Sequence, residues 1–306
     1  MRRSLVIAWL VLGGCSGGLR QPADGAPFRV GSGSDVTPPS PYSTGGLGVA
    51  IEDLVFPGLG RVDDRGALQP MLGTWSFADD GATITVALRP EARFSDGSPV
   101  LCGDVRSTFE RARKTHGLWG IDQIARMECE GDRTVRVWPV RPRLLPGWFE
   151  CGVGKGGGEA IGAGPYLVAK AEPDRLVLRA NPHAMKAPGI PAVVFRRFDA
   201  TAEAWARLLA GEVDLITSVP WAKAEVIKTV NTVAPVDALS KAVVLIDFVH
   251  PRPPFDDPEV RYALALAIDR EAIRLGPLGG SAVPSVGLVW PQSAALDASL
   301  APYPFD

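Results

Sequence analysis

Apolar and polar residues alternate along several short runs, and turn residues separate the runs in pairs. Trp75 and Phe77 alternate before Asp80-Gly81, and Ile84, Val86 and Leu88 alternate after it. That is the pattern of a β-hairpin with one buried face. "RMECEGDRTVRVWPV" repeats it around Gly131-Asp132, and "GPYLVAKAEPDRLVLRANP" repeats it around Pro173-Asp174. "PFRVGSGSD" offers one short strand ahead of a loop of small residues. Helical spacing appears instead in Leu47, Ile51, Leu54 and Val55, and "DVRSTFERARK" reads as a charged surface helix.

The middle of the chain changes character. "AVVFRRF" predicts a strand, and "EVDLITSVP" predicts another. Between them "TAEAWARLLAG" predicts a helix with Thr201 as N-cap and Gly211 as its stop. Strand, helix and strand with short joints form a βαβ crossover, so the two strands are expected to run parallel. Ligands in open α/β sheets lie beyond the carboxyl ends of such strands, here Thr217, Ser218 and the following Trp221. "AVVLIDFVH" reads as a further buried strand. In "FDDPEVRYALALAIDREAI", Asp257 is a suitable N-cap and Pro258 fits the first helical position. Val260, Ala263, Leu264, Ala267 and Ile268 share one face of that helix, and Asp269 caps a short helix after it.

The first residues follow neither period. Arg2 and Arg3 precede an apolar run over residues 5–12, which is too short to span a bilayer. Small residues come next, the layout of an export signal. Leu12-Gly13-Gly14-Cys15 resembles the bacterial lipobox, which implies cleavage before Cys15 and lipid attached to it. Residues 1–15 are thus expected to be a lipoprotein signal peptide. Residues 16–27 are small, polar and rich in Pro and Gly, a tether rather than a fold. Export also permits disulfides. Of the remaining Cys102, Cys129 and Cys151, the expected pair is Cys129 with Cys151, with three buried thiols as the alternative. Their spacing resembles no zinc site.

Composition narrows the class. A chain of 306 residues is enough for one large domain or two. The 46% of hydrophobic and 22% of charged residues are a globular mixture. A net charge of -2 leaves no basic footprint for nucleic acid. The 34 glycines and 28 prolines favour many turns and long ordered loops.

Candidate chemistry is sparse. "FSDGSPVLCGDV" holds two carboxylates, Asp96 and Asp104, which could in principle act as acid and base. Asp96-Gly97 is a turn dipeptide, however, and Asp104 falls in the first turn of the next helix, where the dipole favours negative charge. "GVGKGGGE" lacks the Lys-Ser/Thr spacing of a phosphate loop and reads as a flexible glycine loop. His116, His183 and His250 form no His-x-x-x-His pair, and no Gly-x-Ser-x-Gly elbow exists. Catalytic and metal-ligating residues are therefore assigned to none, and no cofactor is expected.

Four segments in order resemble the extracellular solute-binding proteins of bacterial ABC importers, family 5. They are the long stretch from "LVFPGLGRVDD" to "FSDGSPVLCGDV", then "GAGPYLV", "LLAGEVDL" and "PPFDDPEVRYALALAIDREAI". The resemblance implies an α/β, periplasmic-binding-protein-like fold of two lobes, class II in type, with the second lobe truncated. Residues 28–45 and 161–250 would form the first lobe's sheet, 46–160 an extra subdomain with hairpins, and 251–306 the start of the second lobe. Leu101 departs from the family by standing where a helix-start Thr is usual, which leaves Asp104 to do more of the capping. Val249 and His250 stand where an Asn is usual.

The implied function is capture of peptides or similar small solutes for transport, without covalent chemistry. The implied partners are the solute, an ABC permease in the inner membrane, and the membrane through a lipid anchor at the cell envelope. No nucleic acid is among them. Gly33, Ser34, Ser218, Trp221 and His250, all at strand ends, are the expected cleft contacts. A truncated interaction protein or gene remnant that no longer transports, and a secreted hydrolase, are the rival readings.

Overall fold

The computed structural model describes residues 25–306 except 44–46, 49–50, 64–65, 79–80, 116–117, 142–146, 218, 220–226, 228, 235, 237–244, 250–251, 281, 288–295 and 298. Strand β1 (Phe28–Ser32) leads through a loop to helix α1 (Glu52–Val55). Strands β2 (Gly60–Val62) and β3 (Leu68–Pro70) come next, followed by β4 (Gly73–Ala78) and β5 (Thr83–Leu88). Helix α2 (Cys102–Lys114) precedes β6 (Ile124–Glu130) and β7 (Thr134–Pro139). Then come β8 (Tyr166–Glu172), β9 (Arg175–Ala180) and β10 (Ala192–Arg197), helix α3 (Thr201–Leu209), β11 (Leu215–Ile216), and helices α4 (Pro258–Leu266) and α5 (Arg270–Leu275).

All three expected hairpins form, as β4–β5, β6–β7 and β8–β9. The last joins β10, β1 and β11 in a five-stranded sheet of order β11-β1-β10-β9-β8. The crossover from β10 through α3 to β11 passes over β1. Strand β1 is parallel to both, so the expected parallel strands are second neighbours rather than partners. Two antiparallel steps from β10 to β8 give β8 the same direction. The carboxyl ends of β1, β8, β10 and β11 therefore share one edge of the sheet.

Alternation explains the core beneath this sheet. Leu176 and Leu178 of β9, Val193 and Phe195 of β10, and Val30 of β1 point to one buried face, with Ile51, Val55 and Phe56 packed on it. Each large side chain so buried stabilises the fold by about 1.5–3 kcal/mol. The second sheet, β4-β5-β7-β6, buries Ile84, Val86 and Leu88 with Val135 and Val137 under Val105, Phe109 and Ala112 of α2. Trp148 and Phe149 stack at 4.2 Å in the same core. Phe77 continues the alternation of Trp75 but is 56% exposed on the edge strand β4.

Several expectations change here. The disulfide joins Cys102 to Cys129, with Cα atoms 5.7 Å apart, and not Cys129 to Cys151. The cause is tertiary: the Cys102 amide donates to the Asp132 carbonyl at 2.7 Å, so the start of α2 rests on the β6–β7 turn beside Cys129. Cys151 is a buried thiol whose Sγ lies 3.8 Å from the Gly152 carbonyl oxygen. Thr201 is the first helical residue of α3 and Ala200 is its N-cap, without a side-chain cap. Gly211 does stop the helix, at φ +71°.

The buried strand expected at "AVVLIDFVH" is not formed over 245–249, where Leu245, Ile246 and Val249 are exposed. Asp257 and Asp269 cap α4 and α5 as their sequences imply, accepting from Glu259 N and Ala272 N at 2.8 Å. Neither helix fully buries a residue, and the apolar stripe of α4 is only partly covered, with Val260 and Ile268 half-buried and Ala263, Leu264 and Ala267 exposed.

Candidate functional site

The two carboxylates of "FSDGSPVLCGDV" are occupied with backbone and loop. Asp96 Oδ1 accepts from Ser98 N at 3.0 Å and Ser98 Oγ at 2.6 Å, and its other oxygen pairs with Lys155. The Lys155 ammonium, and then Ser98, hold the Asp96 carboxyl well below the usual carboxylate range. Asp104 Oδ2 accepts from the Leu101 amide at 2.9 Å, which closes the helix start that Leu101 cannot cap. Asp104 Oδ1 accepts from Gly156 N at 2.8 Å.

The glycine loop is thereby held and not flexible as the sequence suggests. Thr108 Oγ1 donates to Gly154 O at 3.2 Å, and Lys155 N donates to Ile161 O at 3.0 Å. Two of its glycines are required by close approach: a Cβ on Gly154 would lie 1.9 Å from Gly158 O, and one on Gly157 would lie 2.9 Å from the Ser107 backbone. These polar groups build a joint between the turn, the helix start and the glycine loop.

The carboxyl edge of the five-stranded sheet is the better site. Here β1 ends in the buried Ser32, whose Oγ accepts from Ser34 N at 3.1 Å. Phe198 N donates to Ser32 O at 2.9 Å, and Thr217 N donates to Gly31 O at 3.0 Å. The ends of β1, β10 and β11 are thus bound together, and Gly33, Ser34 and Asp35 are exposed at their centre. Gly31 is closed in by the Phe198 ring, 3.0 Å from where its Cβ would stand. Gly33 is open, and a Cβ there would meet Thr201 Oγ1 at 3.6 Å. A ligand backbone could approach this point.

Charges flank the opening. The Arg197 guanidinium lies 3.3 Å from Asp35 and 3.4 Å from Asp199. On the β8–β9 side, the Lys170 hydrogen bond, reinforced by the Lys170 and Arg175 charges, holds the Glu172 carboxyl below its ordinary value. Such exposed pairs add only about 0–1 kcal/mol to stability; here they orient charge around the edge. A depression of about 360 Å³ lies between Asp35, Val36, Thr37 and Pro38 on one side and Ala171, Glu172 and Pro173 on the other.

Of the expected contacts, Gly33 and Ser34 stand at this edge, with Thr217 beside them across the β1–β11 pairing. Ser218, Trp221, His250 and the lipidation candidate Cys15 lie outside the described residues. Sequence reasoning missed Asp35, Glu172 and Arg197. The strand-end rule that selected Ser218 would also have reached Asp35 and Arg197, at the ends of β1 and β10, and Glu172 had the β8–β9 turn been recognised as sharing the edge. Among the described residues, no group of three or more His, Cys, Asp or Glu side chains is placed to hold a metal ion.

Known proteins resemble this chain in sequence and in fold. Residues 68–306 match the sequence profile of the bacterial extracellular solute-binding proteins, family 5, middle region. The glutathione-binding protein GsiB of Escherichia coli K12 is 26% identical over 302 residues, covering 90% of this chain and 58% of that protein. The Shigella flexneri GsiB gives the same figures. Among solved structures, the oligopeptide-binding protein AppA of Bacillus subtilis, in complex with a nonapeptide, superposes with a TM-score of 0.72 at 20% identity. It covers 92% of this chain and 62% of its own. NikZ of Campylobacter jejuni, in complex with Ni(L-His), gives 0.70 at 19%, covering 92% and 60%. The chain thus spans less than two thirds of the length of the relatives it matches.

Proposed function

Because the chain belongs to the family-5 bacterial extracellular solute-binding proteins, we propose that the carboxyl edge of its five-stranded sheet is one wall of a cleft that captures a small solute. The solute is released unaltered to the permease of an ABC importer. One observation carries this: parallel strands end together at exposed Gly33 and Ser34 and half-buried Thr217, beside an open depression. That is where open α/β sheets bind ligands. Peptide-like solutes suit the site, because exposed backbone at a strand end can hydrogen-bond an extended chain. Relatives named for glutathione, for a nonapeptide complex and for a nickel–histidine complex bracket the chemical range.

In this reading Gly33, Ser34, Ser218, Trp221 and His250 contact the solute, and Asp35 and Arg197 set the charge it meets. Residues 28–45 and 161–250 form the first lobe, 46–160 an extra subdomain and 251–306 the start of a second lobe. Cys15 carries a lipid that holds the protein at the cell envelope. Metabolic labelling with a tagged fatty acid tests the anchor: label is expected on the wild type and lost in Cys15→Ala.

Isothermal titration of the folded chain with glutathione, a nonapeptide and Ni(L-His) tests capture. Saturable heat with one of them, and recovery of that compound unchanged by mass spectrometry, is the expected result. Conversion of the compound, or no heat with any of the three, overturns the proposal. A second reading, an interaction protein of the same family without capture, is favoured by one observation: no described residue after Ile227 is buried. Absence of heat from a folded chain would support it.

A further inference from the structure

Residues 33–43 carry the exposed contacts Gly33 and Ser34 and one wall of the depression, yet they contain no helix or strand. Their shape must come from tertiary anchors. Val36 is buried against the five-stranded sheet. Farther on, Ser40 Oγ donates to Glu159 Oε2 at 2.7 Å, and the Tyr42 hydroxyl donates to the Gly157 carbonyl at 2.7 Å. The Arg111 guanidinium lies 4.5 Å over the Tyr42 ring and donates to the same carbonyl at 3.3 Å. It also pairs with the other carboxylate oxygen of Glu159. Ser40 Oγ in turn accepts from Tyr42 N at 3.1 Å, which closes the ring of contacts. Burial pushes the Tyr42 phenol up to about 12, so it remains a donor at neutral pH.

We propose that Tyr42, Arg111 and Glu159 are positioning residues that clamp the loop leaving β1 to helix α2 and the glycine loop, and so fix the wall of the candidate cleft. Each contact alone is weak: a cation–π contact at an exposed site is worth about 0.5–1 kcal/mol, and an exposed ion pair about 0–1 kcal/mol. In the ring each contact sets the geometry of the next, and the glycine loop that receives them is itself held by Asp96 and Asp104. The segment around the second sheet thereby governs a surface on the first. The link to solute binding rests on the function proposed above; the clamp itself does not.

Hydrogen exchange on the full chain tests the clamp in wild type, Tyr42→Phe, Arg111→Gln and Arg111→Lys. In Arg111→Gln, amides of residues 33–43 are expected to exchange about tenfold faster, while those of β5 and β7 stay within about twofold. Arg111→Lys keeps the ion pair but loses the flat guanidinium over the ring, so partial recovery is expected. Tyr42→Phe keeps the ring and loses the bond to Gly157, so it should also loosen the loop. Unchanged loop exchange in Arg111→Gln and Tyr42→Phe overturns the clamp, as does acceleration spread evenly through the chain. If wild type binds one of the three probe solutes, Arg111→Gln is expected to weaken binding about tenfold, because the wall is no longer pre-organised. Equal affinity with a loosened loop overturns the link to the cleft. If wild type binds none, the proposed function fails while the exchange result still decides the clamp.

Discussion

Asp104 shows how one side chain can serve two structures. Its two oxygens accept from Leu101 N and Gly156 N, joining a helix start to a loop 52 residues away in sequence. Asp104→Asn turns one of these acceptors into a donor facing an N–H. A loss of about 1–3 kcal/mol is expected, the cost of breaking a hydrogen bond to a charged group. Urea unfolding checks it; an unchanged midpoint would show that the two bonds are dispensable.

Asp53 behaves in the opposite sense. Protein surrounds its carboxylate although 41% of the side chain still meets solvent. Desolvation pushes it up to about 6 from 3.8, opposed by Arg61 at 3.9 Å. The folded chain therefore holds this proton more tightly than the unfolded chain does. The stability that results is fully present below about pH 4 and is lost as pH rises through about 6. Asp53→Asn is expected to flatten that part of the stability–pH profile and to raise stability at pH 7, as thermal unfolding from pH 4 to 7 would record. A steeper profile in the variant would contradict desolvation of Asp53 as the cause.

At the scale of elements, alternation made the hairpins legible. Period-2 runs such as Leu176 and Leu178, divided by Pro173-Asp174, allow few other structures. The caps at Asp257 and Asp269 were equally readable, because a cap is a contact between neighbours in sequence. The disulfide was not. Which cysteines meet depends on where α2 lands relative to the β6–β7 turn, and spacing says nothing of that. Non-reducing peptide mapping is expected to recover Cys102 linked to Cys129. Reduction is expected to cost about 3–4 kcal/mol if the closed loop acts mainly by restricting the unfolded chain. Cys151→Ser should leave the linked peptide intact.

The glycines of "GAGPYLV" have the same kind of tertiary reason. A Cβ on Gly162 would lie 1.9 Å from Val55 O, and one on Gly164 would lie 2.4 Å from Leu54 O. This segment packs directly on the end of α1, and only a residue without a side chain fits.

Across the whole molecule, burial is uneven. Two well-filled cores lie before residue 200, whereas Tyr262, Leu264, Ile273, Leu275, Leu300 and Phe305 are all exposed. Apolar surface of that extent promotes association or binding of apolar probes. The chain is therefore expected to bind a hydrophobic dye such as ANS and to elute at a concentration-dependent size. The double substitution Leu264→Glu with Ile273→Glu should lower both without shifting the main unfolding transition, since neither residue lies in a core. Dye binding equal in both proteins would place the apolar surface elsewhere.

The residues alone determined the local pieces: three hairpins, the helix stop at Gly211, the caps at Asp257 and Asp269, a parallel crossover and a strand end open at Gly33 and Ser34. Each follows from backbone geometry acting over a few positions. Tertiary structure decided that β1 slips between β10 and β11, that Cys102 takes Cys129, and that a glycine-rich loop is held by Asp104 and Thr108. It also decided that four strand ends share an edge with Asp35, Glu172 and Arg197 around it. Those outcomes depend on contacts between residues far apart in the chain, where only the packing of completed sheets and helices selects one partner over another.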